Sequence, residues 1–212
     1  MKIFCVGRNY ADHAKELGNA VPEEPVIFMK PKTALLQSQT PFYYPEFSNE
    51  LHYEVELVLR ISKNGKYVEE NQADKYYDAL SVGIDFTARD IQAELKKKGL
   101  PWEKAKAWDN SAVLGVEWVP ITEELVANPI QFSLRNNGQV VQQGDSRDMI
   151  FSFNKIVSHI SQYFSLNIGD LVYTGTPAGV GECVVGDILE GYLEEQKMFE
   201  VEIKHDDCKE HE

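Results

Sequence analysis

Cysteine is scarce. Cys5, Cys183 and Cys208 are the only three, widely separated and odd in number, so neither a zinc-ligand spacing nor a disulfide framework can be read from them. Sparse thiols of this kind suit a reducing compartment, and a cytoplasmic location is the expectation. Positive charge is also in short supply. Lys and Arg total 21 against 34 Asp and Glu, a formal net charge of −13. That argues against a nucleic-acid partner, which needs a basic face, and against docking on anionic membranes. No apolar run approaches the ~18 residues of a spanning helix. The four apolar residues Ile3 to Val6 end at Gly7-Arg8, too few for the apolar region of an export signal. Repeats, low-complexity tracts and linkers are missing, and Gly and Pro are scattered singly. A Gly-x-Ser-x-Gly elbow is missing too, which leaves acyl-enzyme chemistry without support.

What is present is an ordinary globular composition, 43% hydrophobic and 26% charged over 212 residues. This length can bury one sizeable core. One catalytic domain over 1–205 is expected, followed by an acidic tail at 206–212. The clearest strand is 51–61, where every odd position from Leu51 to Ile61 is apolar and His52, Glu54 and Glu56 occupy even ones. Asn64-Gly65 after it reads as a hairpin turn leading into a return strand at Tyr67-Val68. Helices are expected at 9–17, 74–80, 87–98 and 152–164. Gly99 should close the third, with Lys96, Lys97 and Lys98 suiting its dipole. Further short strands are read at 2–6, 26–29, 82–86, 114–119, 131–135, 170–174, 187–190 and 198–203, with a second hairpin at Asn137-Gly138. About nine strands against four short helices predict a β-rich, mainly antiparallel α+β fold.

Several clusters could carry chemistry. Glu54 and Glu56 lie two apart on one strand face, roughly 7 Å between Cα atoms. They form either a solvated polar face or part of a hard-cation site. Asp85, at a strand end before a helix, completes a three-carboxylate set, or else Asp85 or Thr87 caps the helix. His13 and Glu16, at i and i+3, share a helix face. They are a surface pair, or a carboxylate-oriented base. The Gly-rich loop 173–181 lacks the Lys of a P-loop. Its N–H groups could hold a carboxylate, or it is a plain turn. Lys106 is a charge stabiliser or one solvated base among many.

The order of these segments carries more than any one of them. Val6-Gly7-Arg8-Asn9-Tyr10-Ala11-Asp12-His13, Glu54-Val55-Glu56-Leu57, Asp85-Phe86-Thr87-Ala88-Arg89-Asp90-Ile91-Gln92, Lys98-Gly99-Leu100-Pro101-Trp102 with Ala105-Lys106, Met149-Ile150-Phe151 and Gly175-Thr176-Pro177-Ala178-Gly179-Val180-Gly181 together resemble the fumarylacetoacetate hydrolase family. The likeness is strongest to its short single-domain branch of acylpyruvate hydrolases and oxaloacetate decarboxylases, and spans about 4–204. Ser62, Ala107-Trp108, Val113 and Ser146 depart from the usual pattern without removing a metal ligand. The changes beside Lys106 bear on substrate preference.

The resemblance implies a mixed-sheet fold, a homodimer, and Mg²⁺ or Mn²⁺ held by Glu54, Glu56 and Asp85. It implies a lid around His13 and Glu16, and substrate contacts from Arg89, Gln92, Lys106 and Thr176. Arg8 adds local positive charge for an anionic 2-oxo acid. The implied reaction is hydrolytic C–C cleavage of a short acylpyruvate. His13, oriented by Glu16, would activate water, and Lys106 would stabilise the oxyanion. Oxaloacetate decarboxylation or tautomerisation, or isomerisation of a dienoic 2-oxo acid, shares the same enolate. A non-catalytic metal- or small-acid-binding protein is the remaining alternative.

Overall fold

The structure is a computed structural model that describes residues 1–16 and 21–205. The expected tail, Cys208 and Leu17 lie outside these residues. In chain order the strands are β1 (Ile3–Gly7), β2 (Val26–Lys30), β3 (Phe42–Tyr43), β4 (Leu51–Tyr53), β5 (Val55–Ile61), β6 (Tyr77–Asp85), β7 (Thr87–Ala88), β8 (Ala112–Leu114), β9 (Val119–Pro120), β10 (Gln131–Asn136), β11 (Gln139–Asp145), β12 (Leu171–Tyr173), β13 (Gly181–Glu182), β14 (Ile188–Leu193) and β15 (Gln196–Lys204). The α-helices are α1 (Ala11–Glu16), α2 (Arg89–Lys98), α3 (Glu103–Lys106), α4 (Glu123–Ala127) and α5 (Phe153–Tyr163). This is the expected β-rich α+β fold. A seven-stranded sheet runs β2-β1-β12-β5-β6-β8, with β9 also on β6. A second sheet runs β11-β10-β14-β15-β3 and a small third one β13-β4-β7. Pairing is antiparallel except for β1 with β12 and β15 with β3.

Strand β5 lies inside the first sheet and is covered on both faces. Val55, Leu57, Leu59 and Ile61 face the main apolar cluster, while Val58 joins a second one with Ile3, Cys5, Leu171 and Tyr173. Helix α5 is capped by Ser152, whose side chain accepts from the Lys155 N–H. It buries Phe153, Ile156, Val157 and Ile160, each contributing about 1.5–3 kcal/mol.

Four local expectations need correction. The 51–61 strand breaks at Glu54 into β4 and β5, which join different sheets. The Val55 N–H there donates to Gln142 Oε1 at 2.9 Å rather than to a neighbouring strand. The Asn64-Gly65 turn starts no hairpin: Gly65 bridges Leu166, and β5 pairs antiparallel with β12 on one side and β6 on the other. The helix expected at 74–80 is a 3₁₀ segment, Glu70–Tyr76, and Tyr77 to Leu80 already belong to β6. The 114–119 strand is two short pieces, β8 and β9. By contrast, Gly99 closes α2 at φ 64°, and Asn137-Gly138 turns β10 into β11 with both φ values positive.

Candidate active site

Pairing of β5 with β6 assembles the acidic centre. Val55 sits opposite Ile84, and the Asp85 N–H donates to the Glu54 carbonyl at 2.9 Å. Glu54 and Asp85 are therefore cross-strand neighbours on one face, and Glu56 follows two residues along it. One carboxylate oxygen from each lies within 4.8 Å of the others, and all three residues are buried. The solvated-face reading is thereby excluded. Neither Asp85 nor Thr87 caps α2, whose N-cap is Ala88 with no side-chain bond.

Charges compensate unevenly here. Lys106, buried at the end of α3, places Nζ 2.7 Å from Glu54 Oε2 and 2.7 Å from Asp85 Oδ2. The Arg89 guanidinium bonds Glu54 from another side. Burial alone would raise the Glu54 pKa, but Lys106 and then Arg89 hold it well below the carboxylate range. Burial, then Asp85 and Glu54, push Glu56 well above that range. Burial opposes a charged Lys106, yet Asp85 and Glu54 keep its pKa raised. A buried set of three hard oxygen donors, one held against its charged form by its two neighbours, fits a hard divalent cation.

The Gly-rich loop holds carboxylates, and they are the protein's own. The Gly175 N–H donates to Glu56 Oε2 at 2.7 Å, and the Gly179 N–H to Glu16 Oε1 at 3.2 Å. Gly175 has φ 104°, and a Cβ there would meet the Asn9 Cβ at 2.6 Å. Asn9 is buried and fastens three segments: its amide donates to the carbonyls of Phe151 and Thr174 and accepts from the Phe151 N–H. This links the loop to α1, where His13 Nδ1 stands 3.3 Å from Glu16 Oε2.

Arg8, His13, Glu54, Glu56, Asp85, Arg89, Gln92, Lys106 and Thr176 all border one cavity of about 40 Å³. Glu16 does not border it and reaches it only through His13. Sequence reasoning missed Lys30, which is buried and lies 2.8 Å from Asp85 Oδ1. A lysine ending an apolar strand gives no sign of burial. It also read Lys96 as a dipole partner only, whereas Lys96 borders the cavity with Phe28 and Trp102. Gln142 escaped notice too, although it accepts from the Val55 N–H and donates to Thr176 Oγ1 at 2.9 Å.

The chain is 44% identical over 190 residues to the oxaloacetate tautomerase YcgM of Escherichia coli, covering 89% of this chain and 86% of that one. A fumarylpyruvate hydrolase from Pseudomonas aeruginosa, solved in complex with Mn²⁺ and pyruvate, superposes with a TM-score of 0.91 at 35% identity, covering 97% and 90%. A 5-carboxymethyl-2-hydroxymuconate delta-isomerase from Mycobacterium smegmatis does so at 0.82 and 32%, covering 96% and 78%. The profile of the fumarylacetoacetate (FAA) hydrolase C-terminal family matches residues 2–208. The chain belongs to the fumarylacetoacetate hydrolase family and is an enzyme of its hydrolase, tautomerase and isomerase group.

Proposed function

We propose that the protein interconverts the keto and enol forms of oxaloacetate, or of an equally short 2-oxo dicarboxylate, with Mg²⁺ or Mn²⁺ at Glu54, Glu56 and Asp85. The observation that carries this is the cavity wall. Arg8, Arg89, Lys96 and Lys106 border it together with the His13 ring, and among the described residues Val6, Phe28 and Trp102 are its only sizeable apolar side chains. Four cations suit a second carboxylate at the far end of the substrate, and the small volume suits a short one. They also offset locally the repulsion that a net charge of −13 exerts on an anion. The 44% identity to an oxaloacetate tautomerase supports the same choice.

The bound cation would supply Lewis acidity at the 2-oxo oxygen. His13, oriented by Glu16, takes a proton from C3 of the keto form. The C–H pair becomes the C2–C3 double bond, and the oxygen at C2 is protonated to give the enol. Lys106 holds positive charge beside that oxygen as it gains charge, and Arg89, Gln92 and Thr176 orient the carboxylates. Initial rates of enol absorbance change, above the buffer rate, test this. No acceleration with Mg²⁺ or Mn²⁺ present would defeat it.

Hydrolysis of an acylpyruvate is the second reading, supported by the likeness to the fumarylpyruvate hydrolase. There His13 would activate water instead of taking the C3 proton. Pyruvate release from fumarylpyruvate, with no rate on oxaloacetate, would favour it. The family likeness also supports a homodimer, which light scattering would show at twice the 24.1 kDa chain mass. We also assign the protein to the cytoplasm, in keeping with the free buried thiols of Cys5 and Cys183. Cell fractionation checks that.

A further inference from the structure

Pairing of β4 with β7 does more than extend the small sheet. It sets Leu51 opposite Ala88 and His52 opposite Thr87, and the Arg89 N–H donates to the Glu50 carbonyl at 2.8 Å. The side chains of Glu50 and His52 are thereby brought to the base of the Arg89 side chain. His52 Nε2 lies 3.0 Å from Glu50 Oε1, and Arg89 Nε lies 3.3 Å from His52 Nδ1. A carboxylate only accepts, so the proton of a neutral imidazole sits on Nε2. Nδ1 is then an acceptor, which is what the Arg89 Nε–H requires. The two contacts agree on a single tautomer.

Arg89 is shared among protein groups in a defined way. Nε donates to His52, Nη1 to Gln92 Oε1 at 2.6 Å, and Nη2 to Glu54. A guanidinium has five N–H bonds, so three are used among the described residues, which leaves two for an anionic ligand in the cavity it borders. The fork is rigid and planar, so fixing the Nε edge fixes where the free N–H groups point. His52 does not border the cavity.

We propose that His52, locked in its Nε2–H tautomer by Glu50, is a positioning residue that aims Arg89 at the carboxylate of the substrate. This rests on the reading of Arg89 as a substrate contact. His52→Leu removes the acceptor and frees the Nε edge. His52→Asn restores an acceptor near the place of Nδ1.

The test uses the Mn²⁺-loaded full chain, with oxaloacetate turnover, direct binding of oxaloacetate by rapid-mixing fluorescence, and Mn²⁺ affinity by electron paramagnetic resonance. His52→Leu is expected to raise KM and the oxaloacetate Kd about tenfold, with kcat and Mn²⁺ affinity within about twofold of the parent, the pattern of a lost binding interaction. His52→Asn should recover most of that loss. In an Arg89→Leu background, His52→Leu should add nothing, because the two act through one contact. If Arg89→Leu raises KM and His52→Leu does not, the positioning role is overturned while the substrate reading of Arg89 stands. If Arg89→Leu leaves KM and Kd unchanged, both fall. If His52→Leu weakens Mn²⁺ binding and kcat together, and Asn does not rescue, His52 supports Glu54 structurally and the proposal is overturned. Circular dichroism melting confirms that each variant is folded.

Discussion

Lys30 and Asp85 form an ion pair that solvent barely touches: Nζ lies 2.8 Å from Oδ1, with side-chain exposures of 0% and 1%. The same ammonium donates to Ser111 Oγ at 2.9 Å and to the Ser111 carbonyl at 3.0 Å, and it also bonds the Lys106 carbonyl. Lys30 thus ties one oxygen of Asp85 to the backbone that carries Lys106, and leaves Oδ2 to face Lys106 Nζ. Removing one member of a buried pair strands the other charge. Lys30→Met is therefore expected to cost about 3 kcal/mol in urea unfolding and to lower Tm by roughly 10 °C. A loss under about 1 kcal/mol would show that Lys106 alone suffices for Asp85.

His13 and Glu16 should respond differently to substitution. His13 is 4% exposed and borders the cavity. Glu16 stands behind it, held by the Gly179 N–H. His13→Ala should lower kcat about 10²- to 10⁴-fold, the usual share of a general base, with Mn²⁺ affinity unchanged. Glu16→Gln keeps one acceptor oxygen, which at the Oε2 position lies 3.3 Å from both His13 Nδ1 and the Gly179 nitrogen, but loses the charge, and should cost about tenfold. Steady-state rates with a Mn²⁺ titration check both. Parent-like kcat in His13→Ala would move the proton transfer to another group.

How much was legible depends on distance along the chain. The spacing of Glu54 and Glu56 is local, and so is the Asn137-Gly138 turn; the turn forms as expected, whereas Glu54 sits at the break between β4 and β5 and still brings its carboxylate beside that of Glu56. Whether the two glutamates meet water is not local. Alternating apolar odd positions look the same whether the even face is wet or closed beneath Lys106 and the Gly175 loop. Asn64-Gly65 misled because the space a Cβ would need at Gly65 is filled by the Tyr76 ring, 2.2 Å away. The glycine serves packing there, not a hairpin. The Glu16–Gly179 contact spans 163 residues, and only the order of motifs hinted that these segments meet.

Removing the cation gives a separate check on the acidic triad. Dialysis against EDTA should abolish turnover, and Mg²⁺ or Mn²⁺ should restore it. A ligand that binds only the folded chain also stabilises it, by about 2.7 kcal/mol at a hundred times its Kd. Mn²⁺ should therefore raise Tm of the stripped protein, and Glu56→Gln should remove most of that rise, because an amide cannot give up a proton to become the charged donor that a bound cation would favour at this position. Full activity after EDTA, or an equal Tm rise in Glu56→Gln, would contradict this set of ligands.

Gly175 links backbone geometry to the same triad. Its φ of 104° disfavours any side chain, and a Cβ would stand 2.6 Å from the Asn9 Cβ and 3.2 Å from the Val6 carbonyl. Neither neighbour can swing away, because Asn9 is held by its bonds to Phe151 and Thr174 and Val6 lies in β1. Gly175→Ala should therefore cost on the order of 2–3 kcal/mol by urea unfolding. The loop can relieve the clash only by shifting the N–H that now holds Glu56 Oε2. Mn²⁺ affinity should consequently fall together with stability. Asn9→Ala tests the same link from the other side: it takes away the amide that bonds Phe151 and Thr174 but keeps the Cβ and leaves the Gly175 N–H free to stay on Glu56. It should lose stability through the unmet carbonyls of Phe151 and Thr174, yet weaken Mn²⁺ binding less than Gly175→Ala. Equal losses of Mn²⁺ affinity in the two variants would mean that Asn9, not the Gly175 N–H, sets the position of Glu56.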